Sequence, residues 1–183
     1  DEFSRVINQS IDFVRTNDAL LTLGIKPDRP ETGYGYIQAD LKKKVDKYSA
    51  LHKVKTFTEK PDINLARIFL QSGDFYWNSG IFCWNLNTIL RAFEKYLPDM
   101  YMAFVEGKSL IGTMEEEGFI RRTYAECKSI SIDYGIMEKA DNVFVMCADI
   151  GWSDLGSWTS LYDHSAKDKR GNAIISGDIF SYD

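Results

Sequence analysis

The chain has 183 residues and a net charge of −5, with 44% hydrophobic and 14% aromatic residues. That hydrophobic content suits a substantial core in one domain and argues against disorder, which needs low hydrophobicity with high net charge. No apolar run reaches the ~18 residues of a membrane span, and no basic block is long enough to track a phosphate backbone, so neither membrane nor nucleic acid is an expected partner.

The opening "DEFSRVINQS" is polar and acidic, lacks an initiator Met and does not read as a signal peptide, which points to a fragment or to trimmed numbering. Within it, Val6, Ile7, Ile11, Phe13 and Val14 recur at roughly helical spacing. "ALLTLGI" at 19–25 is a short apolar run of the kind buried on both faces of a sheet. "KPDRPETG" at 26–33 carries two prolines and a glycine and reads as loop. "YGYIQAD" and "KVKTFTEK" alternate like strands. Between them the basic run "LKKKVDK" at 41–47 reads as a solvated segment in a loop or on a helix. "DINLARIFLQSG" is a helix with Asp62 placed to cap its start and Gly73 its end.

"FYWNSGIFCWN" is strand-like but broken by Ser79 and Gly80. Helical patterns follow at about 86–96, 98–106 and 113–126, with a short one at 131–140. "NVFVMCA" is another strand, "SWTSLYDH" a short helix, and "GNAIISGDIFSYD" closes with two strand-like pieces. Strands and helices mix throughout, so an α/β domain with a mixed, mostly buried sheet flanked by helices is the expected architecture. A boundary is expected near Gly171, giving a main part at 1–170 and the start of a β-rich region at 171–183. Cys83, Cys127 and Cys147 form neither a CxxC pair nor a disulfide framework, which fits a reducing cytoplasm. Two histidines, His52 and His164, leave little for a His-rich metal site or a Ser/His/Asp triad.

Several residues can carry chemistry. Gly35 in "TGYGYI" sits in a strand, where glycine marks a bulge or the close approach of a ligand or backbone. Glu59 and Lys60 end a strand just before Pro61. The carboxylate can accept from sugar hydroxyls and the ammonium can meet a phosphate, or the two are simply a solvated pair. Asn78 beside Gly80 is either a turn former or an amide that both donates and accepts toward a diol. Asp133 is most simply a cap or first-turn acid of a short helix. Asp154 in "GWSDLGSW" lies between Trp152 and Trp158, which read as core anchors. It is either an Asx-type cap or one carboxylate ligand of Mg²⁺.

Taken in order and spacing, "TLGIKPDRPETGYGYI", "FTEKP", "FYWNSGIFCW", "SIDYGIMEKA" and "GWSDLGSW" resemble the mannose-1-phosphate guanylyltransferases of the sugar-nucleotidyltransferase superfamily. The resemblance runs from about Thr22 to Asp183. It implies a nucleotide-diphospho-sugar transferase fold, Rossmann-like, and an Mg²⁺-dependent in-line attack of mannose-1-phosphate on the α-phosphate of GTP. The products would be GDP-mannose and pyrophosphate. It further implies that Tyr34 and Gly35 bind the sugar phosphate, Gly35 by its backbone. Glu59 would accept from the sugar hydroxyls, Lys60 would hold the phosphate and act catalytically, and Asn78 would contact the sugar. Asp133 would line the same site, and Asp154 would be catalytic as a ligand of Mg²⁺.

The family's glycine-rich nucleotide loop and its Ala-Asp-His segment, which carries the second metal ligand, have no counterpart here. Residues 1–16 resemble the helix that follows that segment. The chain is therefore expected to be the C-terminal part of a catalytic domain, inactive alone, from a cytoplasmic enzyme for which a homodimer stays open. Two alternatives also stay open: a nucleotidyltransferase using UTP or dTTP with glucose-1-phosphate, and a non-catalytic regulatory homologue.

Overall fold

The structure is a computed structural model and describes residues 1–45, 47–156 and 158–173. They form two compact units, Asp1–Ile150 and a second that begins at Gly151. In the first, α1 (Glu2–Thr16) is capped by the Asp1 carboxylate, which accepts from Ser4 N at 2.8 Å. Capping by a short acidic side chain satisfies an orphan N–H and matches the helix dipole. The helix buries Val6, Ser10, Phe13 and Val14, one stripe at helical spacing. Ile11, expected on that stripe, is instead 44% exposed.

The sheet is mixed, as expected. β1 (Leu20–Ile25) is buried at all six positions. It pairs parallel with β5 (Val143–Ala148) on one side and antiparallel with β4 (Phe75–Cys83) on the other. β2 (Gly35–Val45) lies between β4 and β3 (Tyr48–Glu59). The order β1–β4–β2–β3–β5 closes on itself, because the long β3 pairs with β2 and also, through Leu51–Lys53, with β5. The basic run at 41–47 is thus largely strand, contrary to the loop or helix expected of it. Pairing decides: Lys44 stands opposite His52 and Val45 opposite Tyr48, so backbone groups a loop would leave to water are bonded across the ladder.

Helices cover the sheet. α2 (Ile63–Ser72) starts at Asp62, whose carboxylate accepts from Asn64 N and Leu65 N, and ends at a left-handed Gly73. Its Phe69 stacks on Phe75 of β4 with ring centres 3.8 Å apart. α3 (Leu86–Tyr96), α4 (Pro98–Glu106) and α5 (Glu116–Glu126) follow, then a single π turn, Asp133–Met137. Ile89 and Ala92 of α3 pack with Leu20, Val143 and the π turn's Ile136 and Met137 in one apolar cluster. Among the described residues no helix is long and apolar enough to cross a membrane, and the three cysteines are free.

β4 is continuous from Phe75 to Cys83, so Ser79 and Gly80 do not break the strand. They bulge it. Thr22 faces Phe82 and Gly24 faces Asn78, leaving Leu23 opposite the stretch Ser79–Ile81. Gly80 takes a φ of 72°, which glycine adopts without penalty. The Ser79 hydroxyl donates to the Leu23 carbonyl at 2.8 Å and pins the bulge.

The second unit contains α6 (Trp158–His164). Tyr162 Oη donates to the Gly171 carbonyl at 2.7 Å, and the Lys167 ammonium lies 4.5 Å from the Tyr162 ring centre. Trp158, expected as a core anchor, is 87% exposed. Most of the region expected to begin a β-rich part, 174–183, lies outside the described residues.

Gly24 has no room for a side chain: a Cβ there would stand 2.5 Å from Val145 Cγ2 and 3.0 Å from Tyr76 Cβ. Gly24→Ala is expected to destabilise the chain by about 1–3 kcal/mol through overpacking. In urea unfolding, Gly24→Ala/Val145→Ala should cost less than the sum of its single changes, since the truncated valine vacates the space. Simple additivity would show that the clash is not the cause.

Candidate functional site

Four segments converge at one end of the sheet. β2 begins at Gly35, β3 ends at Glu59, and these two residues stand opposite each other in the ladder. Lys60 follows with a φ of 47°, a left-handed conformation rarely taken by a non-glycine residue. Its backbone N donates to the Tyr34 carbonyl at 3.2 Å, which locks the end of β3 to the start of β2. β4 contributes Asn78 at the edge of its bulge, and the π turn contributes Asp133. Single π turns inside helices recur at functional sites.

Glycine at 35 is a steric requirement. A Cβ there would fall 2.2 Å from Glu59 Oε1 and 3.4 Å from Asn78 Cβ. The missing side chain is the space that the Glu59 carboxyl occupies. Tyr34 is held beside this point: its ring meets buried Trp77 edge-on at 5.2 Å, while the Arg29 guanidinium lies 5.0 Å from the Trp77 ring.

Asn78 is bonded on both ends of its amide. Nδ2 donates to Asp133 Oδ1 at 2.9 Å. Oδ1 accepts from Thr22 Oγ1 at 3.0 Å and from Gly80 N at 3.3 Å. Asp133 thus sits in the first turn, where an acid was expected, but its side chain reaches across to Asn78 instead of back to its own helix.

Burial, and then the neighbouring Asp133 charge, push the Glu59 carboxyl above the usual carboxylate range, against the Lys60 ammonium and a hydrogen bond from Asn78. Burial and Asp133 also raise Glu138, at the end of the π turn. Carboxylates that desolvate and repel one another are costly to a fold and are concentrated at functional sites. The result is a half-buried acidic corner, with Lys60 exposed beside it.

Of the residues singled out in the sequence, Tyr34, Gly35, Glu59, Lys60, Asn78 and Asp133 come together here. Thr22 and Glu138 were not among them. Thr22 carried a readable signal, a lone hydroxyl in the apolar strand "LLTLGI". A fully buried hydroxyl needs a partner.

Asp154 belongs to the second unit. Its Oδ1 accepts from Gly156 N at 2.7 Å, an Asx-type turn. A carboxylate has about four lone-pair positions, so this bond does not exhaust it, and the donor fits one ligand of a hard cation. Among the described residues no three of His, Cys, Asp and Glu gather into a metal-holding group.

A nucleotidyl transferase family profile matches residues 2–171. A mannose-1-phosphate guanylyltransferase of Escherichia coli is 36% identical over 185 residues, covering 99% of this chain and 39% of its own length. One of Salmonella muenchen is 39% identical over 184 residues, covering 98% of this chain and 37% of its own length. The chain therefore spans well under half of the curated relatives it matches. Among solved structures, a mannose-1-phosphate geranyltransferase from Thermus thermophilus superposes with a TM-score of 0.74 at 31% identity, over 88% of this chain and 44% of that one. A mannose-6-phosphate isomerase from Helicobacter pylori gives 0.68 at 25% identity, over 84% and 58%. With a profile match over nearly its whole length, the chain belongs to the nucleotidyl transferase family.

Proposed function

We propose that the protein carrying this chain transfers a guanylyl group from GTP to mannose-1-phosphate in the cytoplasm, giving GDP-mannose and pyrophosphate, and that the corner around Gly35 holds the sugar phosphate. One observation carries the reading: Gly35, Glu59, Asn78 and Asp133 form a single cluster with Lys60 beside it. The names of the relatives that match along 98–99% of the chain supply the substrate pair.

The chemistry follows from the groups present. An ionised Glu59 accepts from sugar hydroxyls, and the Gly35 backbone lets the ring approach where a side chain would block it. Tyr34 walls the ring, and Asn78 and Asp133 fix the polar floor. The Lys60 ammonium faces the phosphate as a point charge and steadies it for in-line attack on the α-phosphorus. Asp154 would be one carboxylate ligand of Mg²⁺. The bound ion would neutralise charge on the phosphates. Catalysis here is positioning and charge neutralisation, with no covalent intermediate.

Pyrophosphate release by the complete protein should be seen with GTP and mannose-1-phosphate. Turnover with UTP and glucose-1-phosphate but not with that pair would overturn the substrate assignment, and no turnover with either would favour a regulatory homologue. The 183-residue chain alone is expected to give none. Asp154→Ala in the complete protein should slow the reaction by about a hundredfold with little change in Tm. A large Tm loss with near-normal turnover would assign Asp154 to its turn alone.

Glu59 gives a test of opposite signs. Its raised pKa means that the folded chain holds this proton more tightly than the unfolded chain does. The group therefore adds stability below the ordinary carboxylate range and loses it as pH climbs through the raised value. At about pH 7.5 its charge is a net cost to the fold. Glu59→Gln should hold or raise Tm at that pH while raising KM for mannose-1-phosphate by about tenfold or more. A lowered Tm with unchanged KM would make Glu59 structural.

A further inference from the structure

We infer that Thr22, a residue of the buried strand β1, is a positioning residue for the sugar-phosphate site: its hydroxyl anchors the oxygen end of the Asn78 amide, whose facing is set by Gly80 and Asp133. The inference rests on the functional reading above.

Thr22 is fully buried, and its Oγ1 lies 3.0 Å from Asn78 Oδ1 and 3.3 Å from the Ile81 carbonyl. Its single proton goes to the nearer acceptor in this arrangement. The Gly80 N–H points at the same Asn78 oxygen, at 3.3 Å. At the other end Nδ2 donates to the Asp133 carboxylate at 2.9 Å. A flipped amide would set its NH₂ against the Gly80 N–H and its oxygen against a carboxylate, two repulsive pairings. The orientation is therefore fixed by chemistry, and Thr22 supplies the side-chain donor on the oxygen end.

The consequence falls on the carboxylates. In this orientation Asn78 turns its NH₂ toward the acidic side of the corner, and Nδ2 donates to Asp133. A neutral amide donating to Asp133 beside the Glu59 carboxyl steadies one of two like charges without adding a charge of its own. The bulge in β4 is what brings Asn78 opposite Gly24 and within reach of Thr22 on the same strand. Without the Thr22 hydroxyl, Oδ1 keeps a single longer bond and the amide can rotate away, releasing its hold on Asp133 in the corner that meets the sugar.

The test compares Thr22→Val, which keeps shape and removes the hydroxyl, with Thr22→Ser, which keeps the hydroxyl and removes a methyl. In the complete protein, Thr22→Val is expected to raise KM for mannose-1-phosphate about tenfold, to change kcat less than about threefold and to leave KM for GTP unchanged. Thr22→Ser should stay within about twofold of the parent. Kd for mannose-1-phosphate by calorimetry should follow KM. A merely structural role would lower Tm in both variants and leave the KM ratio alone, and that result overturns the inference, as would equal losses in both KM values. If Thr22→Val does not fold, Thr22→Cys, whose thiol donates weakly, takes its place with the same expected and overturning outcomes. Binding by the parent with no change on losing the hydroxyl sinks this inference alone. No binding of mannose-1-phosphate by the parent sinks the functional reading and this inference with it.

Discussion

One of two carboxyl groups that repel each other is held in place by a neutral amide, and the arrangement of the site depends on that contact. Asn78 donates to Asp133 at 2.9 Å and opposes the rise of the Glu59 pKa, while its own oxygen is tied down by Thr22 and Gly80. Every partner comes from a different part of the chain: β1, the end of β3, the bulge of β4 and the π turn. An amide both donates and accepts, so it can bridge a hydroxyl on one end and an acid on the other without adding charge.

The sheet supplies the geometry for that contact. The bulge places Asn78 opposite Gly24 while Thr22 is still within hydrogen-bond reach, a relation that an unbulged ladder would alter by two residues. Across β2 and β3 the direct pairing of Gly35 with Glu59 leaves the space that the carboxyl fills. The two glycines on which the arrangement depends act differently. Gly80 lends a positive φ, and Gly35 lends only the absence of a side chain.

Local signals made much of the fold readable. The apolar run of β1, the Asp62 cap and Gly73 stop of α2, and the helical pattern of α4 are each written within a few residues, and each appears where expected. Where expectation and structure part, the deciding partners lie far along the chain. Residues 41–45 of the basic run are strand because β3 pairs with them. Ser79 and Gly80 bulge a strand instead of ending it because Leu23 accepts the Ser79 hydroxyl. Trp158 reads as an anchor by residue type, yet size alone does not say which face of a short helix is covered. The residues that meet in the corner could be singled out through their motifs taken together. Thr22 was not, because its role exists only through Asn78, 56 positions away.

The electrostatics of the corner bear on how a sugar phosphate would enter it. Glu59, Asp133 and Glu138 make one side acidic, and both glutamates are raised by burial and by Asp133. Such a surface repels a phosphate, which at first sight argues against the proposed ligand. The ligand, however, has two chemically distinct ends. Its hydroxyls are donors that carboxylates can accept, and its phosphate is an anion that only the Lys60 side of the corner attracts. Repulsion from one side and attraction to the other would fix one orientation of the sugar and disfavour the reverse, specificity obtained partly through an unfavourable contact. The same charges burden the folded chain when no ligand is bound. That a cluster so costly to the fold sits where a glycine clears space for it is the strongest physical reason to read the corner as a binding site rather than as packing.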